Sequence, residues 1–214
     1  MNPIAGLASL RHPLVGAGRA PGGPGGFAIV KHSSPSPAPR DYYALAARWC
    51  GLGAFLPLSW REPVEAATIS ALGPESAARA REAIEQASGQ IELAFAITRV
   101  GASAEAEGAP GTSGRAYLRA LRSEHETCRG FVDRLRARAS ECGFAVSLIA
   151  NAREGTTGLV RCRRENALAV GLAVEGMAGA ISGVSLTLSE PLPPFGAGAE
   201  LVERLGLSRA RRAA

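Results

Sequence analysis

Large apolar residues alternate with smaller or polar ones over Ile91 to Val100, I-E-L-A-F-A-I-T-R-V, so that Ile91, Leu93, Phe95 and Ile97 face one way. A period of two predicts a half-buried strand. Gly114 to Cys142 has another rhythm: Tyr117, Leu118, Leu121, Cys128, Phe131, Val132, Leu135, Ala139 and Cys142 recur mostly at spacings of three and four, with Arg, Glu and Asp on the other face. That is the stripe of one long helix, ended by Gly143. Phe144 to Ile149 and Thr156 to Cys162 are strand-like again, and N-A-R-E-G between them has the Asn and Gly of a turn, which makes an antiparallel hairpin. A helix over Arg164 to Met177, with Leu168, Val170 and Leu172 among alanines, leads to a last strand, Ser182 to Leu188. The order β-α-β-β-α-β is that of a ferredoxin-like domain, two helices on one face of a four-stranded antiparallel sheet. At 1.5 Å per residue the first helix is roughly 40 Å long. It must kink near Gly130 or overhang the sheet and pack on the N-terminal part of the chain.

The first half is less regular. Residues 1–26, rich in Gly, Pro and Ala and closing on P-G-G-P-G-G, are expected to be a flexible lead-in with no regular element. Phe27 to Lys31 suits a strand, and the prolines of S-S-P-S-P-A-P-R a linker. Asp41 can cap a helix running to Cys50, with Tyr42, Leu45, Ala46 and Trp49 on one face. Gly53 to Ser59 is a strand in which Pro57 demands an edge position or a bulge. A short helix to Leu72 and an alanine-striped one from Pro74 to Ser88 complete a small αβ unit. The expected class is therefore α+β with two αβ subdomains: a lead-in at 1–26, an N-terminal domain at 27–89, a ferredoxin-like domain at 90–190, and a proline-rich exit with a basic tail at 191–214.

Composition narrows the function classes. The charge of +5 comes almost wholly from arginine, Lys31 being the only lysine, and is interleaved with Glu along helices. An arginine excess suits carboxylate or phosphate partners. A binding strand for RNA carries stacking aromatics, and Thr156 to Cys162 has none. Arg161, Arg163 and Arg164 with the tail arginines are read as solvated edge charge, and no nucleic-acid partner is expected. Cys50, Cys128, Cys142 and Cys162 form no C-x-x-C pair, which suits reduced thiols in a cytoplasmic protein rather than a metal site. No stretch is long and apolar enough for a membrane helix, and the N-terminus is not read as a signal peptide.

No residue set for catalysis emerges. His125 and Cys128 stand three apart on one helix, the one pairing suggestive of an activated thiol, but Cys128 belongs to the apolar stripe. The glycine clusters lack the strand-to-helix setting of a phosphate loop. No enzyme activity, cofactor or metal is expected. The segment S-E-P-L-P-P-F holds the candidate site: Pro191, Pro193 and Pro194 impose an extended path from which Leu192 and Phe195 project. It is either a stiff exit folded back on the sheet or a docking strip for a partner.

G-R-A-Y-L at Gly114 to Leu118, the Asn151 turn leading to Gly158-Leu159-Val160, L-P-L-S-W at Leu56 to Trp60 and the P-L-P-P-F close at Pro191 to Phe195 occur in the order seen in the GvpF/GvpL family of gas vesicle proteins, which residues 27–196 resemble. The chain departs from the family pattern at Ser59, where an arginine is expected, and at Leu192 and Phe195, where a Trp between the prolines and a Tyr after them are usual. The resemblance implies a non-enzymatic accessory or minor structural protein acting in gas vesicle assembly, located at the gas vesicle. Its implied partners are the small hydrophobic shell protein GvpA and other vesicle proteins. The alternative is a ferredoxin-like ligand-binding or enzymatic domain of unknown substrate.

Overall fold

Strand β1, Ile4–Ser9, is the central strand of a three-stranded sheet of order β2-β1-β3, between β2, Phe27–Lys31, and β3, Phe55–Pro57. The lead-in expected over 1–26 is thus corrected: its start is the central strand of the N-terminal sheet, buried at Ile4 to Ala8. The computed structural model describes residues 3–16, 25–34, 37–58, 64–99, 114–152 and 155–207. The glycine-rich 17–24, the loop at 101–113, Ser59 and Trp60, the turn residues 153–154 and the basic tail from 208 lie outside the described residues. The chain forms two units, Met1–Ile91 together with Leu192–Ala214, and Glu92–Pro191.

In the first unit β1 pairs antiparallel with both neighbours, Leu7 standing between Ile29 and Leu56. A bulge between Ile4 and Gly6 shifts the parity of the strand. Ile4 and Leu7 therefore share one face although they are an odd number of residues apart, and Ala5 and Ala8 share the other. Helix α2, Pro39–Leu52, covers the alanine face with Tyr42, Ala46 and Trp49. The capping role expected of Asp41 is corrected: the cap position is Ala38 and Asp41 lies in the first turn. A short helix α1, Pro13–Gly16, follows β1. On the opposite face lie α3, Ala66–Ser70, α4, Pro74–Gln86, and α7, Phe195–Arg204, with Ile69, Ala77, Ala80, Ile84, Leu201 and Val202 packed around Leu7, Phe27 and Leu56. Pro57 does sit on an edge strand, where its missing N–H leaves the inner ladder intact.

Helix α7 corrects the second terminal expectation. Where an exit and tail were expected, the chain forms a helix that completes the first unit's core. It comes so close to β3 that a Cβ at Gly198 would lie 1.9 Å from the Pro57 carbonyl oxygen. Only a glycine permits that approach.

The second unit is ferredoxin-like. Its sheet has the order β5-β6-β4-β7, with β4 Gln90–Arg99, β5 Phe144–Ala152, β6 Gly155–Arg163 and β7 Val184–Leu188. β5 and β6 form an antiparallel hairpin closed by the Ala152–Gly155 pair, and β4 pairs antiparallel with β7, Phe95 opposite Leu188 and Ile97 opposite Leu186. Helix α5 spans Gly114–Cys142 without interruption and ends at Gly143, whose φ of 69° is the left-handed value a helix stop uses. Cys128, Phe131, Val132 and Leu135 are its buried stripe, and Phe131 meets Phe95 edge-to-face at 5.7 Å. The side chains of its first two turns lie outside the described residues. A 3-10 turn, Arg164–Asn166, leads into α6, Ala167–Gly179, which buries Val170, Val174 and Ala178.

A candidate docking surface

The proline strip bends across the edge of the first unit rather than standing free. Pro191 is exposed, Leu192 half-buried, Pro193 and Pro194 buried, and Phe195 half-buried at the first position of α7. Locked φ values at the prolines deliver Phe195 to α2, where its ring lies 6.2 Å from that of Tyr42 and 6.4 Å from that of Tyr43. Tyr43 keeps 38% of its surface exposed. The outer edge of this aromatic group, Leu192, Phe195 and Tyr43, is what a partner could touch; Pro193 and Pro194 are committed to internal packing.

Tyr42 anchors the group from below. It is almost fully buried, and its hydroxyl lies within hydrogen-bonding reach of the carbonyl oxygens of Ile4, Ala5 and Leu58, donating its one proton among them. Burial pushes its phenol well above the ordinary tyrosine value. His32 stacks on the Tyr42 ring at 6.4 Å and accepts at Nδ1 from the Ser34 N–H. His12 is buried against Trp49, ring to ring at 4.6 Å. Its Nδ1 accepts from the Leu14 N–H at 3.2 Å, so its Nε2 carries the proton donated to the Trp49 carbonyl at 2.9 Å. Both are structural groups: His12 is bonded at both ring nitrogens and His32 at Nδ1.

Other candidates from the sequence are placed as follows. Cys128 faces the core, its Sγ 4.0 Å from the Ile97 carbonyl oxygen; the side chain of His125 lies outside the described residues. Burial pushes the Cys162 thiol up. Among the described residues no three His, Cys, Asp or Glu side chains gather as a metal would need. Arg161 is not solvated edge charge, which corrects the reading for that residue, whereas Arg163 and Arg164 are exposed. Its Nε donates to Glu92 Oε1 at 3.0 Å, and Glu92 is only 1% exposed. The alternation that identified β4 put Glu92 on the face opposite Phe95, where Ala94 and Ala96 are half-buried and Thr98 is exposed, and nothing in a single strand says that Glu92 itself is buried.

Sequence reasoning also missed Leu168 and Leu172. They were grouped with Val170 as one apolar set, yet they are 78% and 59% exposed while Val170 and Val174 are buried. The signal was present: Val170, Val174 and Ala178 repeat at four, and Leu168 and Leu172 form a second stripe offset by two.

Fold and site together define an α+β protein of two units, the second ferredoxin-like, with apolar and aromatic contact surface as its candidate site. No family model matches the chain, and no curated protein matches it. Its fold is similar to that of the gas vesicle protein GvpF from Anabaena sp. PCC7120, at a TM-score of 0.61 and 13% identity over 92% of this chain and 94% of that one. It is also similar to GvpF from Microcystis aeruginosa, at a TM-score of 0.55 and 12% identity over 91% and 98%. At such identities the likeness is one of fold. No helix among the described residues is long and apolar enough to cross a membrane.

Proposed function

We propose that this chain is a non-enzymatic accessory or minor structural protein of gas vesicles. It acts in vesicle assembly, in the cytoplasm and at the vesicle, by binding the small hydrophobic shell protein GvpA and other vesicle proteins. The observation that carries this reading is the likeness to two GvpF structures along more than nine-tenths of the chain, both units included. Neither nucleic acid nor a membrane enters the proposed role. The candidate contact is Pro191 to Phe195, of which Leu192, Phe195 and the neighbouring Tyr43 supply the reachable apolar surface. An apolar rim of this kind suits a hydrophobic partner, whose burial contributes about 25 cal/mol per Å².

Capture of purified shell protein by this chain tests the proposal, with Leu192→Asp as the informative variant because Leu192 is only half-buried. Phe195→Asp is the second variant and is read only where its unfolding transition confirms a folded first unit. Capture by the unaltered chain with loss in folded Leu192→Asp is the expected result. No capture by the unaltered chain rejects the shell protein as partner, and undiminished capture by both variants rejects the strip as the contact.

A further inference from the structure

We propose that the protein self-associates through helix α6, pairing antiparallel with the same helix of a second copy. The exposed arc of α6 carries Leu168, Leu172, Ala169, Gly176 and Gly179, with Glu175 toward one end and Arg164, on the preceding turn, at the other. Arg164, Leu168, Leu172 and Glu175 are spaced four, four and three apart, which places them on one stripe. Val170, Val174 and Ala178 occupy the opposite side and face the core. The stripe is not needed for internal packing. A Cβ added at Gly176 or Gly179 would touch nothing within 4 Å, although a glycine inside a helix costs roughly 1 kcal/mol against alanine. Small residues beside exposed leucines allow a second helix to approach closely.

Charge identifies the occupant as another copy. A two-fold axis makes each contact occur twice with roles exchanged. With the axis between the leucines, near position 170, Leu168 of one copy faces Leu172 of the other. Glu175 and the second copy's Arg164 then fall within about 1.5 Å of the same height along the axis. Both ion pairs form at once, and the parallel arrangement would instead set like charges together. Neither Arg164 nor Glu175 has an ion-pair partner among the described residues. A single helix pair buries well below the ~800 Å² per partner of a standard interface, so the dimer dissociates on the order of tens of micromolar. This inference is independent of the gas vesicle reading, and its failure leaves that reading untouched.

Sedimentation velocity of the full chain from about 1 to about 300 µM brackets that constant. The expected result is a monomer–dimer equilibrium that Leu168→Asp/Leu172→Asp weakens at least ~100-fold with no change in the unfolding midpoint. Arg164→Glu weakens it about 5- to 10-fold, and the double exchange Arg164→Glu/Glu175→Arg restores it. A monomer at every concentration overturns the proposal, whether or not the shell protein is then captured through Leu168. So does a dimer indifferent to the leucine pair, and so does a charge exchange that fails to restore association.

Discussion

Replacing Leu7 with alanine should destabilise the first unit by about 3 to 4 kcal/mol. Leu7 has no exposed surface, stands between Ile29 and Leu56 on the central strand, and packs in the cluster with Phe27, Ile84 and Leu201. The substitution removes about three carbons, worth ~0.8 kcal/mol each by transfer, or roughly 2.4 kcal/mol. Two flanking strands hold the site open, so a cavity penalty adds to that and the total falls inside the ~2 to 5 kcal/mol seen for such changes. For a unit of this size the melting point should fall by roughly 12 °C or more. Urea unfolding followed by tryptophan fluorescence is the assay. Both tryptophans, Trp49 and Trp60, belong to the first unit, so the signal follows that unit even where the two do not unfold together. Leu10, one residue past β1 and 47% exposed, is the control, with an expected change below about 0.5 kcal/mol for Leu10→Ala. If Leu7→Ala is equally mild, β1 is not the centre of the sheet and the N-terminus is a lead-in after all.

Arg161→Met should cost the second unit about 3 to 5 kcal/mol, because it leaves the Glu92 carboxylate buried without that guanidinium. Most of the loss should return in Glu92→Leu/Arg161→Met, measured by chemical denaturation; a double variant as weak as the single one contradicts a pairing role. Alkaline pH should destabilise both units. Cys162 and Tyr42 have folded-state values above their ordinary ones, so each contributes stability that is complete below its ordinary value and is lost as pH rises beyond it. Those thresholds are about 8.5 to 9 for the thiol and about 10 for the phenol. Tyr42→Phe should flatten the decline above about pH 10 as read by tryptophan fluorescence, and an unchanged slope removes Tyr42 as its source.

The second unit was readable from sequence because its core follows the simple periods. Alternation in β4, the three-and-four stripe of α5 and the hairpin turn each encode one buried face, and one buried face is all a βαββαβ unit with helices on one side needs. The first unit was harder. Its sheet is covered on both faces, β1 carries a bulge that breaks the period of two, and α7 begins F-G-A-G-A, where Gly198 lets the helix reach Pro57.

The candidate surface divides in the same way. Proline chemistry in the sequence limits φ at Pro191, Pro193 and Pro194, but it did not show that the path turns into helix α7 already at Phe195. Whether the strip stood free or folded back depended on Tyr42 and Tyr43, about 150 residues earlier in the sequence. The apolar character of Leu168 and Leu172 was legible too, but a helix apolar on nearly every side does not announce which stripe faces inward. Only the packing of Val170, Val174 and Ala178 against their own unit decided that, leaving the two leucines outside. Local dihedral limits and periodicities belong to the sequence alone; the partner each face receives is a property of chain segments far apart, and only the tertiary structure brings them together.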